Sequence, residues 1–380
     1  MNAIYMDHAA TSPVHPDVMK AIMTSLQNDF GNPSSIHQFG RKSRHALDES
    51  RSNLARSIHA NPNEVIFTSG GTEADNLAIV GAAKGNQAKG NHIITTSIEH
   101  HAALNACKGL ENEGFTVTYL PVNENGRISI TDLKDAIRPE TILITVMYGN
   151  NEVGTIQPIA EIARIANDSG ILFHTDAVQA YGLIDLNVKE IGIDLLSVSA
   201  HKINGPKGVG FLYAKAGTKL VPYSYGGEQE RKRRAGTENV AGIVGMEKAA
   251  ELMHVDRDAK VELYQNMKQV MIDIFDEESI SYLVNGDSQN MLPHVMNVSF
   301  LDAKVEPMLM NLDLAGIAVS SGSACTAGSH EPSHVLTAMF GDNERTETAI
   351  RFSFGYGNSI DDAKRAAGEV VKIVNRLKKL

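Results

Sequence analysis

Apolar positions along the first two hundred residues follow two alternating periods. Val18, Ile22, Met23 and Leu26 recur at helical spacing and predict a helix over 17–28. The breakers of Phe30-Gly31-Asn32-Pro33-Ser34-Ser35 mark a loop, and 41–59 reads as a charged amphipathic helix. Short apolar runs then take turns with amphipathic stretches. Strands are expected at 65–68, 92–96, 115–120, 141–147, 171–174, 195–199 and 209–213, and helices at 73–83, 101–113, 131–137 and 159–167. Such alternation implies an α/β unit, a mostly parallel sheet covered by helices on both faces. In such sheets a ligand binds beyond the carboxyl ends of the strands.

The pattern changes after about Asn239. A long helical stretch over 240–275 is expected to break near His254. Short strands follow at 281–284, 294–300 and 350–354, and a helix over 361–377 closes the chain. This predicts a large α/β domain over 16–255 and a smaller α+β domain built from 1–15 and 256–380. The smaller one carries a glycine- and serine-rich loop at about 321–331. A chain of 380 residues has room for both.

Composition narrows the function. A net charge of −10 argues against a general nucleic-acid binder. No apolar run approaches the ~20 residues that cross a bilayer, and no basic region precedes an apolar stretch at the N-terminus. Cys107 and Cys325, the two cysteines, can form neither a disulfide framework nor a cysteine-rich zinc motif. No metal is therefore expected, and a reducing cytoplasmic location is the default.

Five stretches carry candidate chemistry. The apolar run 194–198 ends in Ser199-Ala200-His201-Lys202 and breaks into Gly-Pro-Lys-Gly, as a strand would if it delivered Lys202 into a cleft. Lysine forms Schiff bases with carbonyl cofactors such as pyridoxal phosphate. Thr68 to Asn76 follows a strand and opens a helix; its small residues would let backbone N–H groups approach a phosphate, although Thr72 and Asp75 would also suit a plain capping box. The strand ending at His174-Thr175-Asp176 would present a carboxylate to a pyridine nitrogen, with Gln179 close behind, or cap a helix with the same aspartate. In Glu99-His100-His101 one imidazole could stack on a ring and move protons. Cys325 lies in the small, polar segment 319–329, which suits a mobile arm presenting a thiol, whereas mid-helix Cys107 reads as inert packing. Arg351, inside a strand-like run, needs a partner: a substrate carboxylate or an internal salt bridge.

Together, TSGGTEADN, YGNNEVG, HTDAVQ, SAHKINGPKG, RRAGTEN, SSGSACTAG and IRFSFG resemble the cysteine desulfurases of the nitrogen-fixation and iron–sulfur-cluster group, class I by the length of the cysteine loop. The resemblance covers essentially the whole chain. It implies the aminotransferase-like fold type I and pyridoxal 5'-phosphate as cofactor. It also implies roles: Lys202 as the covalent anchor and proton carrier, Asp176 on the pyridine nitrogen, Gln179 on the phenolic oxygen, and His100 stacked on the ring. Gly71, Thr72, Ser199 and His201 would bind the phosphate, and Thr237 the phosphate of the partner in a homodimer. Asn151 and Arg351 would hold the substrate carboxylate, and Cys325 would take the sulfur of L-cysteine as a persulfide, leaving alanine. The implied acceptor is a tRNA-thiolating enzyme or a cluster scaffold, and the short C-terminus favours the former. Alternatives are a selenocysteine lyase, a lyase or aminotransferase that does not use Cys325, or a sulfur-relay protein with a vestigial site. His330 and His334 match no fixed feature of the family and are expected at the surface.

Overall fold

The period-two runs become strands whose two faces feed two different cores. In the computed structural model, which describes residues 3–321 and 332–378, β1 spans Ile4–Tyr5, β2 Val65–Thr68, β3 His92–Thr96, β4 Thr116–Leu120, β5 Thr141–Thr145, β6 Leu172–Asp176, β7 Leu195–Ser199 and β8 Gly210–Ala214. Seven of these form one sheet in the order β2-β8-β7-β6-β5-β3-β4. Only β8 runs against its neighbours; the other pairings are parallel. Along each strand successive side chains point to opposite faces. Phe67, Ile94, Ile144, Leu196 and Phe211 accordingly enter one apolar cluster, while Ile66, Ile93, Leu143, Leu195 and Leu212 enter another. Each such side chain, fully buried, is worth roughly 1.5–3 kcal/mol.

A three-stranded antiparallel sheet follows, in the order β12-β10-β9, from β9 (Tyr282–Asn285), β10 (Val295–Phe300) and β12 (Ala349–Ser353). The helix Ile360–Leu377 packs its buried face, including Val370 and Val374, into the same cluster as Phe173 of the main sheet. The long helical stretch breaks at Asp256, between helices Val240–Val255 and Arg257–Glu277. Two features have no local sequence signal. One is the parallel pairing of β1 with the two-residue β11 (Ile317–Ala318); the other is the helix Val305–Leu314.

The N-terminal segment is fixed at both flanks. Met6 donates its N–H to Ala318 O at 2.8 Å and accepts from Ser353 N at 2.8 Å, and Ala9 N–H donates to Ser353 Oγ at 2.9 Å. The segment then runs over the carboxyl end of β7, where Ser12 N–H donates to His201 O at 2.8 Å. Gly355 makes room for this path: a Cβ there would stand 2.1 Å from His8 Nδ1. His8 is itself buried and packs edge-on against Tyr5 at 4.9 Å. We predict that Gly355→Ala lowers folding stability by about 1–3 kcal/mol, as overpacking does, measured by urea denaturation. Unchanged stability would mean that the segment yields without cost.

Candidate active site

Five strand ends point at one cavity of about 370 Å³. β7 ends in Ser199 and leads through one 3₁₀ turn to Lys202, β6 ends in Asp176, and β2 leads to Gly71. β3 leads to Glu99 and His100, and β5 to Met147 and the loop with Asn151. Gly71, Thr72, His100, Asn151, Asp176 and Gln179 all line this space, as do Ser199, His201, Lys202 and Arg351. Ten of the twelve residues expected at the site therefore meet there. Thr237 is exposed and does not line the cavity. Cys325 and His330 lie outside the described residues.

The lysine is held by main chain. Lys202 Nζ donates to Ala9 O at 2.5 Å and Ala10 O at 2.7 Å. Gln179 Nε2 reaches the same Ala9 carbonyl at 2.9 Å, and Gln179 Oε1 lies 3.0 Å from His294 Nε2. His201 Nδ1 lies 3.1 Å from Thr11 Oγ1. One residue after another of the cavity thus leans on the N-terminal segment.

At the floor two carboxylates share a small volume. Asp176 Oδ1 accepts from Val178 N–H at 2.9 Å. Burial raises its pKa to about 6, against the opposing pull of Val178 N–H and the Lys202 charge. Asp75 is driven up by burial and then by the Asp176 charge, and its Oδ1 has no hydrogen-bond partner. Asp75, His100 and Asp176 each bring one donor atom within 4.8 Å of the others. Burial, then Lys202, lowers the pKa of His100 to about 4; burial, then Lys202, does the same for His201. Both imidazoles are neutral near pH 7. Glu99 is buried and accepts from Thr96 Oγ1 at 2.7 Å and Met147 N–H at 3.0 Å; burial pushes its pKa up to about 8.

The helix Gly71–Asn86, which also lines the cavity, begins without a side-chain cap; its N-cap is Gly70, and neither Thr72 nor Asp75 closes the capping box considered from sequence. Its first N–H groups and positive dipole end are available to an anion. Gly71 is needed there, because a Cβ would come within 2.8 Å of Val178 Cγ2. Pyridoxal phosphate fits this donor set: an anion site at a helix N-terminus, a lysine amine, and a buried carboxylate pair where a protonated ring nitrogen would be matched.

At three residues the sequence signal was incomplete. Arg351, fully buried, already has a carboxylate: Nη2 donates to Asp7 Oδ1 at 2.9 Å and Nη1 to Asn151 O at 2.9 Å. Asp75 reads as a helix cap yet lies at the cavity floor. His334, expected at the surface, lines the cavity instead; Ser333 caps its helix and turns it inward. Cys107 is buried, and burial pushes its thiol up to about 12, consistent with inert packing.

Known proteins resemble the chain over its length. The family model described as Aminotransferase class-V matches residues 4–365. IscS 1 of Bacillus subtilis (strain 168) is 56% identical, covering 99% of this chain and 100% of that protein. The cysteine desulfurase IscS of Dictyoglomus turgidum is 47% identical over 99% and 95% of the two chains. Among solved structures, a NifS-like protein superposes with a TM-score of 0.92 at 31% identity, covering 98% and 100%. SspA in complex with cysteine superposes with a TM-score of 0.81 at 36% identity, covering 92% and 98%. With a lysine, a carboxylate pair and an open helix N-terminus around one cavity, and with full-length relatives of this kind, the chain belongs to the class-V aminotransferase family, among its pyridoxal-phosphate-dependent cysteine desulfurases.

Proposed function

We propose that the enzyme moves the sulfur of L-cysteine onto Cys325 as a persulfide and releases alanine. The observation that carries this reading is the meeting of Lys202, Asp176 and the uncapped start of helix Gly71–Asn86 in one cavity. When bound, pyridoxal phosphate supplies a carbonyl for covalent attachment and an electron-poor ring that weakens bonds at the substrate α-carbon. Lys202 anchors the cofactor, then moves the proton at Cα with its Nζ. Asp176, with Asp75 beside it, holds the proton of the ring nitrogen. His100 would present a neutral imidazole to the ring, and Gln179, whose amide keeps a second N–H beyond the one given to Ala9, would donate to the phenolic oxygen. Gly71, Thr72, Ser199 and His201 take the phosphate. Arg351 and Asn151 receive the substrate carboxylate, which joins Asp7 at the guanidinium.

Support for Cys325 comes from its described neighbours. Before it, Ser320 pairs with Arg351, N–H to O at 3.2 and 2.7 Å. After it, Ser333 Oγ donates to the buried Glu152, a cavity residue. Both flanks of 322–331 therefore border the cavity. The acceptor of the sulfur is a protein, a tRNA-thiolating enzyme or a cluster scaffold, and the reaction runs in the cytoplasm. The working unit is a homodimer, and Thr237 serves the partner's phosphate site. Its exposure outside its own cavity suits that role. So does the shape of the preceding chain, where Glu230, Arg231 and Lys232 take φ of 46, 59 and 68°. Such left-handed residues cost about 1–2 kcal/mol each. The bidentate Arg51–Glu230 pair, both contacts 2.7 Å, holds them. The division into a large domain, 16–255, and a small one, 1–15 with 256–380, belongs to the same reading.

Intact-protein mass spectrometry after brief exposure to L-cysteine without reductant tests the persulfide. Wild type is expected to gain one sulfur and Cys325→Ala none, with alanine release lost in the variant. Alanine release by the variant at the wild-type rate contradicts the assignment. For Thr237, we expect Thr237→Val to sediment as a dimer and to bind pyridoxal phosphate about tenfold more weakly, the worth of one hydrogen bond to a charged group. Unchanged affinity would remove the crossed phosphate contact.

A further inference from the structure

His294 does not line the cavity, yet it hydrogen-bonds a residue that does. Both partners are buried, His294 to 6% exposure and Gln179 to 7%. His294 Nε2 lies 3.0 Å from Gln179 Oε1, and Gln179 Nε2 donates to Ala9 O at 2.9 Å. A backbone carbonyl only accepts, so the amide turns its NH2 to Ala9 and its oxygen to His294. That oxygen also only accepts, so Nε2 of His294 carries the ring hydrogen and donates. Nδ1 is left as the bare nitrogen and has no hydrogen-bond partner among the described residues. The same Ala9 carbonyl receives Lys202 Nζ at 2.5 Å. The amine of Lys202 is thus three hydrogen bonds away from His294.

We propose that His294 is a positioning residue: its Nε2–H locks the Gln179 amide in the orientation that leaves the second N–H of Gln179 for the phenolic oxygen of the cofactor. This rests on the role of Gln179 given above. A carboxamide can turn over and exchange its oxygen for its nitrogen. With Nε2–H in place, both ends of the amide resist that turn. The oxygen would meet Ala9 O, acceptor against acceptor, and the NH2 would meet the hydrogen on Nε2. Without the imidazole only the Ala9 end resists, and Oε1 stays buried with no donor, which is costly.

The ring itself is fixed by the chain around it. His294 precedes β10, and its carbonyl accepts from Phe354 N–H at 2.9 Å. Leu292 donates its N–H to Gly154 O at 2.8 Å, and its carbonyl accepts from Lys268 Nζ at 2.7 Å. Burial, then Lys268, His8, Lys202 and Arg351, lower the pKa of His294 to about 3. These groups come from the helix Arg257–Glu277, the N-terminal segment, the turn after β7, and β12. Replacing His294 near neutral pH therefore removes a hydrogen-bond donor and no charge.

The sign of the effect follows. In the holoenzyme the phenolic oxygen and Lys202 Nζ share a proton. A donor on that oxygen stabilises the form that has lost this proton, and so lowers its pKa. A displaced Gln179 amide lets the proton stay to higher pH.

The test is a pH titration of the yellow absorbance of the holoenzyme through the neutral and alkaline range. The variants are Gln179→Leu, His294→Leu, the two together, and His294→Gln, which keeps an N–H donor. We expect Gln179→Leu to raise the midpoint by about one pH unit, the tenfold worth of a hydrogen bond to a charged oxygen. We expect His294→Leu to raise it by about half a unit or more, the double variant to match Gln179→Leu, and His294→Gln to titrate like wild type. Lys268, which burial lowers to about 7, titrates in the same range in every variant, so the differences between variants exclude it. A wild-type midpoint in His294→Leu, with Gln179→Leu shifted, overturns this inference alone. A wild-type midpoint in Gln179→Leu overturns the role of Gln179 and this inference with it. Shifts that add in the double variant overturn it as well, because His294 would then act by another route. If His294→Leu does not fold, nitrogen-15 spectra of histidine-labelled wild-type holoenzyme decide. The His294 signals, assigned by their loss in His294→Gln, are expected to show the hydrogen on Nε2; a hydrogen on Nδ1 overturns the inference.

Discussion

A lysine and a buried carboxylate have to share one cavity, and much of the chain is arranged around that constraint. An unpaired buried charge costs several kcal/mol. Asp176 meets the problem by a raised pKa and the N–H of Val178. Lys202 meets it with two backbone carbonyls, Ala9 and Ala10, which lie nearly two hundred residues away in sequence. Those carbonyls are held in place by the N-terminal segment, which is strapped between β11 and β12 and pinned further on by Ser12 to His201. The small sheet and the main sheet are thus joined through the same contacts that keep the lysine in place.

Neutral histidines are the second consequence of this environment. His100, His201 and His294 are all pushed down by burial, to which the Lys202 charge adds most for His100 and His201 and the Lys268 charge for His294. A desulfurase benefits from that state, since neutral imidazoles can stack, accept and relay protons without competing with the lysine for the carboxylates. Glu99, raised to about 8, likewise adds little negative charge near pH 7 to a cavity that must admit an anionic phosphate and a substrate carboxylate.

Much of the site was legible because of how parallel sheets end. A run such as Ile171-Leu172-Phe173-His174-Thr175-Asp176 states both its strand and the residue it delivers, and the same holds for Leu195 to Lys202. Small residues after β2 announced the open helix start at Gly71. What stayed hidden depends on chain segments meeting over long separations. Asp7 pairs with Arg351 across nearly the whole length of the chain, so the sequence left open whether the arginine's partner is an internal carboxylate or a substrate. Asp75 occupies the fourth position from a plausible capping threonine, a local pattern that the buried cavity floor overrides. His334 is a single residue whose inward direction is set by Ser333 and Glu152, and no periodicity reports that. β1 and β11 are two residues long, too short for any pattern.

The proposed chemistry depends on Lys202 taking the cofactor covalently in the cavity that also holds the carboxylate pair and the helix N-terminus. Reduction of the holoenzyme with borohydride, followed by proteolysis and peptide mass mapping, tests this directly. A single pyridoxyl-bearing peptide, modified at Lys202, is expected, with no stable modification in Lys202→Ala. Modification at another lysine, or an equal yield from Lys202→Ala, would contradict it.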